Sequence, residues 1–393
     1  MLRLNTMNTD ELLTRAVADV VPKDLAKKKL GGSKPIRIYL GIDPTGAKLH
    51  LGHSVPLRKL RAFADAGHEV IFLIGSFTAL IGDPTGRDAM RETLTAEDIQ
   101  ENFRTYKEQA QKILDFSKIE VRYNHEWLGK MSFEDVIKLA SHFTVHQMLE
   151  RDMFQERIKA KKPIHMHEFL YPLMQGYDSV ALETDAELGG NDQLFNMLAG
   201  RTLLSELKNK EKFVLTTKLI EGTDGRKMSK TYDNCVYLTD PPNDMYGKLM
   251  SIGDDLIPAY MECCTDIPMA EVQSVTKALK AKKENPKTFK MRLAREIVML
   301  YHGEAAAKTA EDQFQNVFAK KGVPDDMPEY KPKKGESLID ALLASGMVAS
   351  KSEARRLIEQ GGIKLGDTTV TSIESAATKG VVKVGKRKFV RFS

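Results

Sequence analysis

The sequence predicts an α/β protein with a parallel, doubly wound sheet at its centre, followed by an α-helical domain and a small α+β domain. Between residues 36 and 220, short apolar strand patterns alternate with amphipathic helix patterns, which is typical of parallel strands joined by helical crossovers. Strand patterns then fade, and helix patterns dominate residues 243–318. A basic segment with its own helix and strand patterns begins at Ser337.

Composition narrows the class of protein. The chain has 393 residues, of which 42% are apolar and 29% charged, as expected for a globular protein with two or three domains. It shows neither an apolar run of membrane-spanning length nor a leader pattern, so we expect a cytoplasmic protein without a membrane partner. The cysteines are too few for a disulfide framework and lack zinc-ligand spacing, so we expect reduced thiols and no bound metal at Cys235, Cys263 and Cys264.

Positive charge is concentrated in one part of the chain. Residues 331–393 carry 13 basic and 6 acidic residues, a net charge of +7, whereas the rest of the chain carries −2. Such a distribution indicates a nucleic-acid partner for that segment rather than for the whole surface. The alternative is a basic tail that only keeps the protein in solution.

The elements of the first region follow from apolar periodicity and from stop signals. One helix is predicted near the N-terminus, around the apolar residues Leu12, Leu13, Ala16, Val17 and Val20. Alternation from Ile36 to Leu40 predicts a strand, and the next helix is predicted from Ser54, as its N-cap, to the stop signal Gly67. Further strands are predicted at residues 70–74, 120–123, 179–182 and 213–220. Further helices are predicted at residues 95–115, 133–159 and 194–204.

Glycine-rich turns are predicted at residues 82–86 and 188–193, after strands of the sheet. Ligands of such sheets bind at the carboxyl ends of the strands, so these turns are expected to border a binding site. Three prolines and mixed charges then predict a linker at residues 323–336. The last segment is predicted to contain a helix from Leu338 to Leu343, a second helix capped by Ser350, and short strands.

Two segments carry residues suited to phosphate chemistry. The histidine segment, His50-Leu-Gly-His53, lies between the first strand of the sheet and a helix, where backbone donors and the helix dipole favour an anion. The lysine segment, Lys227-Met-Ser-Lys-Thr231, places two ammonium groups and two hydroxyls on a glycine-bearing loop, suited to a pyrophosphate leaving group. Taken singly, each segment is more often structural or solvated surface, and neither standard nucleotide fingerprint fits. Together they favour phosphate chemistry.

This pair of segments resembles the two signature sequences of class I aminoacyl-tRNA synthetases, His-Ile-Gly-His and Lys-Met-Ser-Lys-Ser, with Leu51 and Thr231 as departures. The resemblance implies a Rossmann-like catalytic domain that binds ATP. It also implies a catalytic set consisting of His50, His53, Lys227 and Lys230, with hydroxyl donors from Thr45 and Thr231. An ATP-binding set is implied as well, comprising Gly41, Asp43, His50, His53, Gly190, Asp192, Met228 and Lys230.

Within that class, the chain resembles the tyrosyl-tRNA synthetase family from near its N-terminus to Phe392. The strings that carry this resemblance are Tyr39–Thr45, Ile81–Gly86, Tyr171–Asp178 and Gly189–Gln193. The resemblance implies that Tyr39 and Asp178 bind the phenolic hydroxyl of L-tyrosine. It implies that Asp83, Tyr171 and Gln175 hold the α-ammonium group, with Gln193 near the carboxylate. Independently, Tyr171, Gln175 and Asp178 have the i, i+4, i+7 spacing of one helix face.

The resemblance also implies partners and domains. We expect a homodimer that uses L-tyrosine, ATP with its Mg²⁺, and tRNA-Tyr. The domains would be catalytic at residues 1–234, helical and anticodon-binding at 235–322, and S4-like and RNA-binding at 337–393, after the linker. The tRNA contacts would come from Lys351, Arg355, Arg356, Lys386, Arg387 and Lys388. Two departures, Glu187 and Leu194, stand where many bacterial members have glutamine and tryptophan.

Two other functions remain open at this point. Tryptophanyl-tRNA synthetases share both signatures and the fold, but normally lack a tail such as residues 337–393. A non-catalytic RNA-binding protein on a synthetase scaffold is the second alternative. Such a protein should have lost some of the four signature side chains, and this chain retains all of them.

Overall fold

A computed structural model describes residues 9–44, 48–85, 95–282, 284–319, 327–333, 335–366, 368–385 and 388–393, without the side chains of Ala96, Lys230 and residues 317–319. The chain divides into two compact units. The first unit comprises Met1–Pro241 and Lys248–Tyr301, and the second comprises Pro242–Gly247 and His302–Ser393. No helix in the described ranges is long and apolar enough to cross a membrane.

A six-stranded sheet forms the centre of the first unit. Its strands are β1 (Val17–Val21), β2 (Arg37–Ile42), β3 (Glu69–Ile74), β4 (Glu120–Tyr123), β5 (Ala186–Gly190) and β6 (Phe213–Thr217). Their order in the sheet is β1-β6-β5-β2-β3-β4. Strands β2 to β6 pair in parallel, which confirms the predicted parallel sheet, and β1 adds an antiparallel edge beside β6.

Helices pack around this sheet and continue beyond it. Those up to β6 are α1 (Thr9–Leu12), α2 (Lys23–Leu30), α3 (Leu51–Asp65), α4 (Thr78–Ile81), α5 (Ala96–Ala110), α6 (His125–Leu128), α7 (Phe133–Ala140), α8 (Val145–Leu149), α9 (Asp152–Lys159), α10 (Met166–Leu182) and α11 (Leu194–Lys208). The helical region predicted after the sheet is confirmed as α12 (Pro242–Met250), α13 (Ile257–Cys264), α14 (Met269–Lys280), α15 (Pro286–His302) and α16 (Glu304–Ala319).

The N-terminal helix predicted around Leu12 to Val20 is wrong. Helix α1 ends at Leu12, and Ala16 adopts a left-handed conformation with φ of 54°, which a helix cannot continue through. Residues 17–21 instead form β1 and pair with β6. Valine is β-branched and favours the strand once a partner strand is present.

The strand predicted at residues 179–182 is also wrong, because these residues form the last turn of α10. A short apolar run does not distinguish a buried strand from a buried helix segment. The helix ends at Leu182, and its C-cap Glu183 has a φ of 47°. The strand of the sheet is β5, part of which the sequence predicts as a loop. A Cβ added at Gly189 would lie 2.8 Å from Met197 Sδ, so this strand glycine lets α11 approach the sheet closely.

The C-terminal part of the second unit has a sheet and a hydrophobic core of its own. Its elements are β7 (Glu329–Tyr330), α17 (Leu338–Ala344), α18 (Lys351–Glu359), β8 (Ile363–Leu365), β9 (Thr368–Thr369), β10 (Gly380–Val384) and β11 (Lys388–Phe392), with strand order β7-β11-β10-β8-β9. Both predicted helices are confirmed, and Ser350 caps α18 by accepting a hydrogen bond from Glu353 N. Because β7 pairs with β11, the expected linker contains part of this sheet.

Candidate active site

A cavity of about 410 Å³ lies at the carboxyl ends of β2, β3 and β5. It brings together all six candidates for tyrosine binding: Tyr39, Asp83, Tyr171, Gln175, Asp178 and Gln193. Gly41, Asp43, His53 and Asp192 of the ATP-binding candidates also line it. The helix face predicted from the spacing of Tyr171, Gln175 and Asp178 therefore points into one pocket.

One end of this pocket, the Tyr39 end, presents a phenol and a carboxylate. Tyr39 is fully buried, and its hydroxyl lies 2.8 Å from Ser179 Oγ. Asp178 accepts hydrogen bonds from Trp127 Nε1 at 2.8 Å and from Asn124 Nδ2 at 3.4 Å. Burial raises the pKa of Asp178, while these two donors act in the opposite direction. The sequence does not identify Trp127, Asn124 or Ser179 as pocket residues. Trp127 and Asn124 contact Asp178, which is far from them in the sequence, and Ser179 falls in a segment whose pattern predicts a strand instead of a helix.

The opposite end, the Gln175 end, is ordered by a fully buried asparagine. Asn196 Nδ2 donates to Oε1 of Gln175 and to Oε1 of Gln193, each at 3.0 Å. Both glutamine amides are thereby oriented with Nε2 turned away from Asn196. Gln193 Nε2 then donates to Asp83 Oδ2 at 2.8 Å, and Gln175 Nε2 donates to Glu187 Oε1 at 3.3 Å. No local pattern in the sequence marks Asn196 for this role.

Asp43 connects the pocket wall to the end of β2. It accepts hydrogen bonds from Tyr171 Oη and from Thr78 Oγ1, each at 2.7 Å. A Cβ added at Gly75 would lie 1.9 Å from Asp43 Oδ1, so only glycine leaves room for this carboxylate. The resemblance implies that Tyr171 binds the amino acid and that Asp43 binds the nucleotide, and in the structure these two side chains form a direct hydrogen bond.

The histidine segment begins α3. His50 is the N-cap, because its Nδ1 accepts a hydrogen bond from Gly52 N at 3.1 Å, while His53 Nδ1 accepts from His50 N at 3.2 Å. The prediction that Ser54 is the N-cap is therefore wrong, since Ser54 lies inside the helix and donates to Leu51 O at 2.7 Å. The predicted stop at Gly67 fits the structure, where this residue has φ of 85° just after the helix ends.

The same hydrogen bonds fix the protonation of both imidazoles. A ring nitrogen that accepts an N–H bond carries no proton, so His50 and His53 each hold their proton on Nε2. Burial lowers the pKa of His50 to about 3, with His53 adding to the effect, and burial lowers the pKa of His53 to about 4. Both side chains are thus neutral N–H donors near pH 7.

The lysine segment is held in place by Asn234, which is nearly fully buried. Asn234 Nδ2 donates to Asp224 Oδ1 at 2.7 Å and to Lys227 O at 3.1 Å, and its Oδ1 accepts from Ser229 N at 2.8 Å. A Cβ added at Gly222 would lie 2.3 Å from this amide, so glycine is required there.

The histidine and lysine segments approach each other at Gly52. A Cβ added at Gly52 would lie 3.8 Å from Sδ of Met228, which is buried. Thr231 is exposed, and Gly190 ends β5 without lining the cavity. Thr45 and the Lys230 side chain lie outside the described residues.

The candidate tRNA contacts lie in the second unit and fall into three groups. Arg355 and Arg356 are exposed on α18. Lys351 Nζ forms an ion pair with Asp340 at 2.7 Å, and Lys388 Nζ donates to the carbonyl of residue 347 at 3.0 Å. Lys386 and Arg387 lie outside the described residues.

Comparisons with known proteins cover nearly the whole chain. The family model for class I tRNA synthetases (W and Y) matches residues 32–319, and that for the tyrosine–tRNA ligase SYY-like C-terminal domain matches residues 319–391. The tyrosine–tRNA ligase of Thermotoga maritima is 48% identical over 98% of this chain and 96% of its own length. That of Carboxydothermus hydrogenoformans is 46% identical over 97% of this chain and 96% of its own length.

Solved structures show the same fold. A C-terminally truncated mitochondrial tyrosyl-tRNA synthetase from Aspergillus nidulans aligns with a TM-score of 0.65 at 23% identity, over 79% of this chain and 97% of that one. The tyrosyl-tRNA synthetase of Archaeoglobus fulgidus, solved with L-tyrosine, aligns with a TM-score of 0.62 at 22% identity, over 77% of this chain and 98% of that one. Since one family model spans most of the chain and curated relatives match almost all of it, this chain belongs to the tyrosine–tRNA ligases, a family of class I tRNA synthetases.

Proposed function

We propose that this protein joins L-tyrosine to tRNA-Tyr in two steps. A carboxylate oxygen of tyrosine attacks the α-phosphorus of ATP, the bond to the β-phosphate oxygen breaks, and pyrophosphate leaves. A hydroxyl of the terminal adenosine of tRNA then attacks the tyrosyl carbonyl and displaces AMP. The observation that carries this proposal is one pocket that contains all six tyrosine-binding candidates together with His53.

In this proposal the Tyr39 end of the pocket receives the phenol of the substrate. Tyr39 and Asp178 are both buried polar groups, and the substrate hydroxyl would complete their hydrogen bonding there. Phenylalanine would leave the Tyr39 donor and one acceptor position of Asp178 without that hydroxyl, which costs binding free energy and gives selectivity. The Gln175 end, with Asp83 and Gln193, would receive the α-ammonium and carboxylate groups.

Replacing Asp178 by asparagine is expected to lower kcat/KM for tyrosine by about 10- to 100-fold, because the carboxyl group that would accept from the phenolic hydroxyl is replaced by a weaker amide acceptor in a buried site. The value for phenylalanine, which has no hydroxyl, should change little. Steady-state pyrophosphate exchange with both amino acids measures this. The control is Asp185→Asn, which removes a carboxylate that instead pairs with Lys29. If Asp178→Asn kept the wild-type preference for tyrosine, the assignment of this end of the pocket would be wrong.

The nucleotide chemistry would rest on positioning and on stabilisation of charge developing on phosphate oxygens. We propose that His50 and His53 supply neutral Nε2–H donors and that Lys227 and Lys230 supply charge, with hydroxyls from Thr45 and Thr231. Mg²⁺ would arrive as MgATP. No residue is proposed to form a covalent intermediate. The remaining ATP contacts would come from Gly41, Asp43, Gly190, Asp192 and Met228.

At saturating tyrosine, the rate of pyrophosphate exchange is expected to show no histidine titration between about pH 5.5 and 8. An ordinary histidine would gain its proton as the pH falls through 6.5, whereas His50 and His53 have pKa values of about 3 and about 4. They therefore stay neutral throughout this window. A pH profile of kcat checks this, with His53→Asn as the control, whose rate should fall without a change in profile shape. An acid limb present in the wild type and absent from His53→Asn would contradict neutral histidines.

We also propose that the protein acts as a homodimer and that the C-terminal module binds tRNA-Tyr. Large apolar side chains are exposed on neighbouring elements of the first unit, namely Phe133, Ile137, Val145, Ile158 and Met166. Exposed apolar groups of this kind support an interface with a second copy. Sedimentation analysis tests the dimer. We also propose a cytoplasmic location, which is supported by three free and buried cysteines.

Tyrosine-dependent exchange between ATP and pyrophosphate is the experiment that tests the proposed function. We expect exchange with tyrosine and none with tryptophan. Matching of the C-terminal module to the tyrosine–tRNA ligase domain supports tyrosine over tryptophan. A protein that bound tRNA-Tyr but exchanged no pyrophosphate would be the non-catalytic RNA-binding protein instead.

A further inference from the structure

A buried chain of hydrogen bonds lies behind the Tyr39 end of the pocket, and the roles proposed above do not use it. Lys212 Nζ donates to Ser179 Oγ at 2.5 Å, and Ser179 Oγ lies 2.8 Å from the hydroxyl of Tyr39. All three side chains are fully buried. Lys212 also pairs with Glu187, one of the two departures noted in the sequence, whose side chain lines the pocket.

Two glycines shape the space around this chain of hydrogen bonds. A Cβ added at Gly200 of α11 would lie 2.8 Å from Lys212 Nζ and 2.7 Å from Ser179 Oγ. A Cβ added at Gly176 of α10 would lie 3.1 Å from Gly200 N, so the two helices touch backbone to backbone at this point. Gly200 therefore leaves the space that the lysine nitrogen occupies, and Gly176 lets the two helices approach each other closely.

The positions of the protons decide which group donates to which along this chain of hydrogen bonds. Ser179 has one proton and two lone pairs, and one lone pair already accepts from Lys212. Its proton can go to Tyr39 Oη at 2.8 Å or to Glu187 Oε2 at 3.3 Å. Hydrogen bonds between oxygens span about 2.5 to 3.0 Å, and Glu187 Oε2 already accepts from Lys212, so Tyr39 is the better acceptor. Tyr39 then accepts from Ser179, and its own proton, which the Glu187 carboxylate of the pocket wall also attracts, is the one it can donate to a substrate.

The protonation of the two ends agrees with this direction. Burial and then the Glu187 carboxylate raise the pKa of Tyr39, so its phenol remains protonated and able to donate. Burial lowers the pKa of Lys212, and the Glu187 carboxylate opposes that change. An amine donates in both protonation states, so Lys212 can supply the first hydrogen bond in either case. Consecutive donors of this kind polarise and strengthen one another.

We propose that Ser179 and Lys212 fix the direction of the Tyr39 O–H bond, so that Tyr39 donates to the phenolic oxygen of tyrosine while the substrate donates its own proton to Asp178. With the opposite direction, Tyr39 and Asp178 would both offer acceptors to a hydroxyl that has one proton. Ser179 is therefore a positioning residue for specificity that acts through Tyr39. This inference rests on the proposed function.

The test is Ser179→Ala, which breaks the chain and leaves the ion pair between Lys212 and Glu187 intact. The KM for tyrosine in pyrophosphate exchange is expected to rise about 5- to 10-fold, the effect of one lost hydrogen bond. The KM for ATP and kcat should be unchanged. Activity with phenylalanine should also be unchanged, so selectivity falls by the same factor as tyrosine binding. A general loss of structure would affect both amino acids and ATP.

Matched variants make the outcome decisive. Thr184→Val removes another fully buried hydroxyl, which lies in the connection between α10 and β5. The oxygen of this hydroxyl has no hydrogen-bond partner within the described ranges, so the variant should leave selectivity unchanged. In a Tyr39→Phe background, Ser179→Ala should have no further effect on selectivity. If Ser179→Ala does not fold, Ser179→Cys retains the size with a weaker donor, and its KM for tyrosine should rise in the same direction.

The proposal is overturned if the folded variant keeps wild-type KM and selectivity, or if it loses activity equally with tyrosine and phenylalanine. It is also overturned if Ser179→Ala and Tyr39→Phe act additively, because the serine would then act independently of Tyr39. Failure of the proposed function looks different. In that case the wild-type protein itself would show no tyrosine-dependent exchange.

Discussion

Removal of residues 320–393 is expected to lower the charging of tRNA-Tyr by at least about 100-fold, because this segment holds the surplus cations that would neutralise tRNA phosphates. Tyrosine-dependent pyrophosphate exchange should continue. All described residues of the pocket precede residue 232. The removed module has a sheet and a hydrophobic core of its own, built from residues such as Leu338, Ile358 and Phe392. Truncation should therefore abolish the transfer of tyrosine to tRNA and leave the activation of tyrosine by ATP in place.

Both activities are measured on the same truncated preparation and over a range of salt concentrations. In the intact protein, tRNA binding should weaken as salt rises, and truncation should flatten that dependence. A finer version reverses the charges of the exposed Arg355 and Arg356 in the full chain, which should reduce charging alone. Reversing the exposed Lys27 and Lys28 of α2 is the matched control. Equal retention of both activities after truncation would refute the RNA-binding role.

Replacing Lys230 by alanine is expected to lower kcat for pyrophosphate exchange by about 100- to 1,000-fold, the typical effect of removing one group that stabilises charge in the transition state. The KM for tyrosine should stay nearly unchanged, because this interaction is made with the departing pyrophosphate rather than with the amino acid. The expectation comes from the resemblance of the lysine segment to the second synthetase signature.

The control for Lys230 is a cation of the same loop. Arg226 Nε donates to Asp224 at 2.7 Å, and its guanidinium lies 4.3 Å from the centre of the Tyr232 ring. Since these contacts hold it against its own loop, Arg226→Ala should reduce exchange far less than Lys230→Ala. Unaltered exchange by Lys230→Ala would exclude the proposed role of this side chain.

Much of the pocket could be predicted from the sequence because its information is local. The spacing of Tyr171, Gln175 and Asp178 fixes a helix face wherever the helix lies, and the histidine segment follows a strand with clear alternation. Both signatures could be recognised without knowledge of their contacts. The parallel order of the sheet follows from the alternation of strand and helix patterns.

The remainder depends on partners that are distant in sequence. Asn196, Asn234 and Lys212 are ordinary polar residues in the sequence, and only the fold shows that they are buried and which groups they contact. Local periodicity does not reveal the edge strand β1, because its pairing with β6 joins residues about two hundred positions apart. Residue type alone favours Ser54 as the cap, whereas His50 occupies the position because its ring nitrogen accepts from Gly52 N.

The buried pair of Lys212 and Glu187 has a consequence for changing which amino acid the protein accepts. Glu187 borders the pocket, so it is an obvious position to vary when a modified tyrosine is to be accommodated. A neutral residue there would leave the buried Lys212 nitrogen, which fills the space beside Gly200, without its carboxylate partner. Breaking a buried ion pair from one side typically costs about 3 to 5 kcal/mol, whereas exchanging both partners together can be nearly neutral. Libraries that vary Glu187 alone would therefore discard variants for loss of folding rather than for poor recognition, and residues 187 and 212 should be randomised jointly.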